Sequence, residues 1–204
     1  MKFTGENTLH ATVEKAWDAL LDPAVLVRTI PGCERLEALP ADQGENAYAM
    51  TVTAGVAAIK GTYSGSCVIS DLKPHESLVM KLDGAGAPGT IGATVDVRFA
   101  PGADGATTIS YDADAIVGGM VGGVGQRMLT SVSRRMAGEF FGNVDAVLTG
   151  AAPAVAESGG SPSEPGVFTA PPRPAAVGSQ REFLTGVAVG AALVVLGVLI
   201  GRRR

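Results

Sequence analysis

Through residues 45–117 apolar side chains recur at nearly every second position, and through residues 126–148 they recur at a spacing near four. The first period is that of a strand with one face in a core, the second that of a helix with one buried stripe. Five segments read as strands: AYAMTVTAGV, IKGTYSGSCVISDL, SLVMKLDGAG, IGATVDVRFAP and TTISYDADAIV, separated by Gly, Pro, Asp and His-Glu breaks at hairpin spacing. Alternation places Met50, Val52, Tyr63, Cys67, Ile69, Leu78, Met80, Leu82, Val95, Val97, Phe99, Ile109, Tyr111, Ala113 and Ala115 on one side. Asp96, Arg98, Ser110, Asp112 and Asp114 fall on the other. One face of the sheet is therefore apolar and the other wetted.

The segment QRMLTSVSRRMAGEFFGNVDAVL repeats Met128, Val132, Met136, Phe140, Val144 and Leu148 four apart, supported by Leu129, Phe141 and Val147. Such a helix has to lie against the apolar face of the sheet. Ahead of the strands, KFTGENTLHA is extended in pattern, and Thr12 stands where it can cap VEKAWDALLD, whose Val13, Ala16, Trp17, Leu20 and Leu21 form a helical stripe. Lys15 occupies the place an acid would take in a capping box, but Glu14 still puts a negative charge in the first turn. Pro23 and Pro31 bound a second short helix, and a further strand falls near CERLEALPADQ. The predicted class is α+β. A curved antiparallel sheet of about seven strands wraps one long C-terminal helix, with two short helices after the first strand. This is the START-like helix-grip arrangement, expected over residues 1–149.

Residues 150–181 hold six of the twelve prolines and few residues that could build a core, the composition of a disordered linker. Extended at ~3.1 Å per residue the linker would reach roughly 95 Å, and as a flexible coil about 30 Å. From Phe183 to Gly201 no residue is charged. As a helix that run would be about 28 Å long, close to the ~30 Å hydrocarbon core of a bilayer. Residues 182–204 are therefore expected to anchor the chain in a membrane. Gly186, Gly190, Gly197 and Gly201 fall within about 60° of one another around such a helix, a small-residue face that could meet another membrane helix. Arg202, Arg203 and Arg204 would sit at lipid phosphates, either beyond a full span or at the end of a shallow insertion. The opening MKFTGENTLHATVEKA has no apolar signal core. The domain is thus expected on the cytoplasmic side of the cell membrane, held by its C-terminus.

Charge narrows the partners. Residues 1–150 carry 11 basic and 17 acidic side chains, whereas the rest carry 5 and 3, so the domain is unsuited to a nucleic acid. Cys33 and Cys67 are the only cysteines and show no CxxC or Cys/His spacing. His10 and His75 have no partner at ligand or triad spacing, so neither a metal site nor catalytic residues are predicted. GGMVGGVGQRM matches neither GxGxxG nor GxxxxGK[ST]. Its glycines are expected to open the mouth of a cavity where the last strand enters the long helix. Tyr63, Tyr111 and Arg98 could in principle serve an acid-assisted cyclase chemistry, but inward tyrosines more often pack. Five of six methionines, Met50, Met80, Met120, Met128 and Met136, gather where sheet meets helix, either as core filling or as an adaptable lining. The candidate cavity comprises these with Val52, Tyr63, Leu82, Val95, Val97, Phe99, Ile109, Tyr111, Gly122, Leu129 and Val132.

The motifs F-x-G, W-x-x-L-x-D, I-P-G-C-E, I-K-G-T-Y-S-G, G-A-P-G-T-I-G and D-A-I-V-G-G-M-V-G-G-V-G-Q-R-M, followed by FF, occur in that order. The set resembles the carbon monoxide dehydrogenase CoxG family of START-like proteins, over residues 1 to about 148. The resemblance implies a non-catalytic accessory protein associated with the aerobic molybdenum-containing carbon monoxide dehydrogenase, which passes electrons to the respiratory chain. It would recruit that complex to the membrane or bring it a lipid quinone, menaquinone or ubiquinone, bound in the apolar cavity without a covalent cofactor. Tyr63 or Tyr111 would then hydrogen-bond the head group. A purely structural adaptor and a small-molecule cyclase are the alternatives.

Overall fold

A computed structural model describes residues 1–56, 58–151 and 166–170. Strand β1 (Lys2–Leu9) leads into helices α1 (Val13–Leu21) and α2 (Pro23–Thr29). Strands β2 (Cys33–Ala38), β3 (Ala47–Val56), β4 (Ile59–Lys73), β5 (Ser77–Gly86), β6 (Gly89–Pro101) and β7 (Thr107–Gly118) follow as an antiparallel meander. A one-turn helix α3 (Gly119–Gly122) precedes the long α4 (Gln126–Leu148), and a short strand β8 (Val167–Thr169) comes last. The sheet order is β1-β7-β6-β5-β4-β3-β2-β8. This is the helix-grip architecture, an open curved antiparallel sheet packed on its long C-terminal helix.

The register carries the predicted faces. Val97 stands opposite Leu78 and Tyr111, Phe99 opposite Ile109, and Val95 opposite Met80 and Ala113. Directly opposed residues project to the same side, so all of these share the face beneath α4. The chain closes its core at one end of that face. Leu9, Trp17, Phe99, Ile109 and Val144 are buried there together, and the Trp17 and Phe99 rings meet edge to face at 5.2 Å. Proline and Asp22 start α2: the Asp22 side chain accepts from the Ala24 N–H while Pro23 takes the first helical position. Thr12 holds the N-cap place of α1, but its side chain makes no capping bond, so that expectation is corrected.

Two further corrections concern the long helix and the linker. The spacing of four sets Met128 on the inward stripe, yet it is 44% exposed, whereas Leu129, Phe141 and Val144 are buried. A row of residues four apart advances about 40° per step in a helix with 3.6 residues per turn. Over the four steps from Met128 to Val144 it turns about 160°, so the two cannot share a face. Within the expected linker, residues 166–170 instead add an edge strand to β2. Phe168 pairs opposite Leu36, the Ala38 N–H donates to the Gly166 carbonyl (2.8 Å), and the Ala170 N–H donates to that of Glu34 (3.1 Å). Phe168 packs on the core beside the fully buried Leu36, which removes the free edge of β2. The rest of the linker and the whole of 182–204, with Gly186, Gly190, Gly197, Gly201 and the three terminal arginines, lie outside the described residues. Among the described residues no helix is long and apolar enough to cross a membrane.

The C-terminal half of α4 is clasped to the start of the fold. Asp145 accepts from the His10 N–H (2.6 Å) and meets the His10 ring at Nδ1 (2.9 Å), and the Asn143 side chain donates to the Thr29 carbonyl (3.0 Å). Partial burial pushes the Asp145 carboxyl up, but the amide and ring of His10 outweigh it and hold the group below its usual range. A depressed carboxylate stabilises the fold above its unfolded value of about 3.9, and that contribution is lost as pH falls through the folded value. Asp145→Asn is therefore expected to lower stability by about 1 kcal/mol at neutral pH. The difference between variant and wild type in urea unfolding should shrink towards zero in strong acid.

Candidate functional site

Side-chain size falls along the inward face. At the core end its cross-strand rows are Leu78–Val97–Tyr111 and Phe99–Ile109. Towards the β3–β4 and β5–β6 hairpins they become Tyr48–Cys67–Leu82–Ala93–Ala115, then Met50–Gly65–Gly84–Ile91–Val117, then Val52–Tyr63–Gly86–Gly89. Four glycines and two alanines in these three rows leave the space under the N-terminal half of α4 unfilled. The result is a cavity of two lobes, in the size range of small-molecule sites.

The first lobe, about 250 Å³, lies between the middle of the sheet, α2 and α4. Leu26, Ile30, Leu36, Tyr48, Cys67, Ile69, Leu78, Met80, Val97, Ala137, Phe140 and Phe141 are among its walls, which expose almost no polar surface. The second, about 270 Å³, lies nearer the hairpins, walled by Val52, Tyr63, Ile91, Ala93, Val117, Val121, Leu129 and Val132 among others. Its polar groups are few: Tyr63, Ser64, Asp83, Thr90 and Ser133. Met50, Leu82 and Met136 border both lobes. Two of the three residues at this junction are flexible thioethers, so the passage between the lobes can adapt its width by rotamer change alone.

Of the candidate residues, Met50, Val52, Tyr63, Met80, Leu82, Val97, Leu129, Val132 and Met136 line this space. The others do not. Phe99 and Ile109 are buried in the packed end, where Trp17 covers Phe99. Tyr111 stacks on Phe141 at 5.9 Å, meets the edge of Phe3, and lays its hydroxyl against Gly5 of β1, away from both lobes. Val95 is half-buried against the core. Met120 is 63% exposed because its neighbour Val121 takes the inward position, with its N–H donating to the Pro88 carbonyl. Gly122 backs onto the Val117 carbonyl, and Met128 points to solvent. Four of the six methionines, Met1 included, still line the cavity.

The contribution of α1 and α2, through Leu20, Leu26, Ile30 and Pro31, is not visible in the periodicity of the chain. The I-P-G motif is the signal available for it. Tyr48 also escapes the alternation, although it stands opposite Cys67 in the register.

The wall chemistry is unreactive. Burial pushes the Cys67 thiol up to about 12 and also raises Cys33. Burial likewise raises Tyr48 and Tyr63, so both phenols stay protonated at neutral pH and act as donors. Thiolate is the nucleophilic form. Cys67 is therefore expected to resist iodoacetamide in the native chain and to react fully in urea, a difference read from intact mass. Ready alkylation of the native thiol would contradict its burial in the first lobe. Among the described residues no three His, Cys, Asp or Glu side chains gather as a metal-holding group. His10 is held by Asp145 and the His75 ring packs on Trp17 at 5.9 Å.

The family profile of the carbon monoxide dehydrogenase CoxG proteins matches residues 5–149. Among solved structures, a conserved protein from Geobacillus kaustophilus is 32% identical, with a TM-score of 0.69, over 74% of this chain and 97% of that one. A START superfamily protein from Mycobacterium smegmatis is similar at 10% identity and a TM-score of 0.56, over 74% and 98% of the two chains. The Zhui aromatase/cyclase from Streptomyces sp. R1128 is similar at 18% and 0.54, over 79% and 99%. The last two share the fold. No curated protein matches the chain.

Proposed function

Since the chain belongs to the carbon monoxide dehydrogenase CoxG family, we propose that it is a membrane-tethered carrier that binds a respiratory quinone and delivers it to the molybdenum carbon monoxide dehydrogenase. The observation that carries this reading is the two-lobed apolar cavity, since an adaptor that only docks the enzyme has no use for one. The first lobe suits an isoprenoid tail, because its walls are hydrocarbon, sulfur and aromatic rings. The second lobe suits a ring with carbonyl oxygens, because the Tyr63 hydroxyl and Ser133 supply donors among apolar walls. No covalent cofactor and no catalytic residue enter this function.

Energetics agree with a carrier. Burying one isoprene unit gains up to about 4 kcal/mol relative to water, at ~0.8 per carbon group, but almost nothing relative to the bilayer. Loading from a membrane is then reversible. Residues 182–204 would hold the chain on the cytoplasmic side, with Arg202, Arg203 and Arg204 at phosphates and the Gly186, Gly190, Gly197 and Gly201 face free to meet another helix. The linker would let the domain reach the dehydrogenase.

Native mass spectrometry of the full-length chain, taken from its own membranes in mild detergent and followed by organic extraction, tests the reading. One isoprenoid quinone per chain is expected. A chain that carries none and takes up neither added menaquinone nor ubiquinone would reduce the protein to a docking adaptor.

A further inference from the structure

The two ends of the sheet differ in chemistry. At one end the chain turns through residues 40–46, 71–76 and 101–106, which carry Asp42, Glu45, Asp71, Glu76 and Asp104 against a single lysine, Lys73. At the other it turns through residues 54–61, 84–92 and 116–128, where Lys60 and Arg127 are the only charged side chains. Both are exposed. An end without one carboxylate is unexpected in a domain whose acids outnumber its bases by 17 to 11 over residues 1–150.

The same end collects the exposed apolar side chains. Ile91, Ile116, Met120 and Met128 are four of the five large hydrophobic residues exposed among the described residues, with Ile116 at 80%. Single exposed apolar residues are ordinary, but several at one end with no acid between them mark an interaction surface. The turns that carry them are joined to one another. Pro88 packs over Gly61, Gly89 bridges Gly119, and the Val121 N–H reaches the Pro88 carbonyl. The second lobe of the cavity is bounded at this end by Thr90, Ile91, Val117, Val121 and Leu129.

We propose that this hairpin end is a face that docks on an anionic lipid surface, setting Met120, Ile116 and Ile91 among the headgroups with Lys60 and Arg127 on phosphates. The second lobe then opens towards the bilayer. Charge complementarity selects the occupant: cations without carboxylates suit anionic headgroups, and protruding aliphatic and thioether side chains suit the headgroup–acyl boundary. The uncharged run Phe183–Gly201 in the same chain points to the same surface. Loading of cargo through this face rests on the carrier reading, whereas docking itself does not.

The test uses the full-length chain in phosphatidylcholine vesicles containing phosphatidylglycerol, with a nitroxide on Met120→Cys or, at the opposite end, on Asp104→Cys. Cys33 and Cys67 are buried, so the introduced thiol takes the label. Collision with oxygen and with a water-soluble nickel complex reports depth. The label at 120 is expected about 5–10 Å beneath the phosphates, and that at 104 in water. Lys60→Glu with Arg127→Glu should lift the first label out while leaving quinone uptake in detergent unchanged.

Both labels in water would overturn the proposal, as would an unchanged depth after charge reversal. Protection of the label at 120 in detergent alone would assign the face to a second copy of the chain. Protection only when the dehydrogenase is added would assign it to that enzyme. A quinone-free chain with a buried label would defeat the carrier reading and keep the docking face. A quinone-loaded chain with both labels in water would do the reverse.

Discussion

A full-length chain carrying Met136→Trp is expected to bind isoprenoid quinone at least tenfold more weakly than the wild type, equivalent to about 1.4 kcal/mol. Met136 is one of three residues that border both lobes, and it projects from α4 towards Met50 and Leu82 of the sheet. An indole there occupies the passage through which a molecule long enough to fill both lobes must run. The site is half-buried and next to empty space, so the larger side chain meets less resistance than in a close-packed core. Met136→Leu, which keeps volume and apolar character, should bind as the wild type does. Quinone fluorescence quenching or co-extraction in detergent reads the difference, with urea unfolding as the control for folding. If the tryptophan variant binds normally while folded, the ligand does not occupy both lobes and the cavity is slack packing.

The largest effect on stability is expected at Gly32. Its backbone has φ = 75°, a left-handed conformation that a β-branched residue avoids. A Cβ built there would stand 2.0 Å from the Thr53 carbonyl oxygen. That contact cannot relax cheaply, because the Thr53 N–H donates to the Gly32 carbonyl at 2.8 Å and ties the turn to β3. Gly32→Val should therefore cost about 3 kcal/mol or more and lower Tm by about 10 °C. Thermal melting followed by circular dichroism checks it, and an unchanged Tm would contradict the close approach. Quinone binding should fall as well, since the turn positions Ile30 and Pro31 in the wall of the first lobe. The glycine of the I-P-G-C-E motif thus serves the backbone, and through it the cavity.

Much of the fold was legible because antiparallel pairing preserves faces. Once Val97 points inward, its neighbours across the sheet must do so too, and the alternation of β4 to β7 stated which residues those are. Phase along α4 was less legible. Rows four apart drift around a helix, so the pattern named Val132 and Met136 correctly but carried Met128 onto the exposed side. Strand β8 could not be read from three residues between Pro165 and Pro171, since what makes Val167–Thr169 a strand is the unpaired edge of β2. The cavity was half legible for a related reason. Glycine and alanine are small wherever they fall, but they leave a void only when register stacks them into adjacent rows, as at Gly65, Gly84, Gly86, Ala93 and Ala115.

By itself, then, the sequence determined the class of the domain, the apolar side of its sheet, the helix that covers it and the family to which it belongs. Each depends on short-range periodicity or on motifs in order, which survive without coordinates. Only the tertiary structure decided that Tyr63 faces the cavity and Tyr111 the packed core, that α2 walls one lobe, and that the uncharged turns meet at one end. Those outcomes depend on which distant residues are brought side by side. No local pattern carries that information, because both tyrosines alternate inward alike until Phe141 and Gly5 claim one of them.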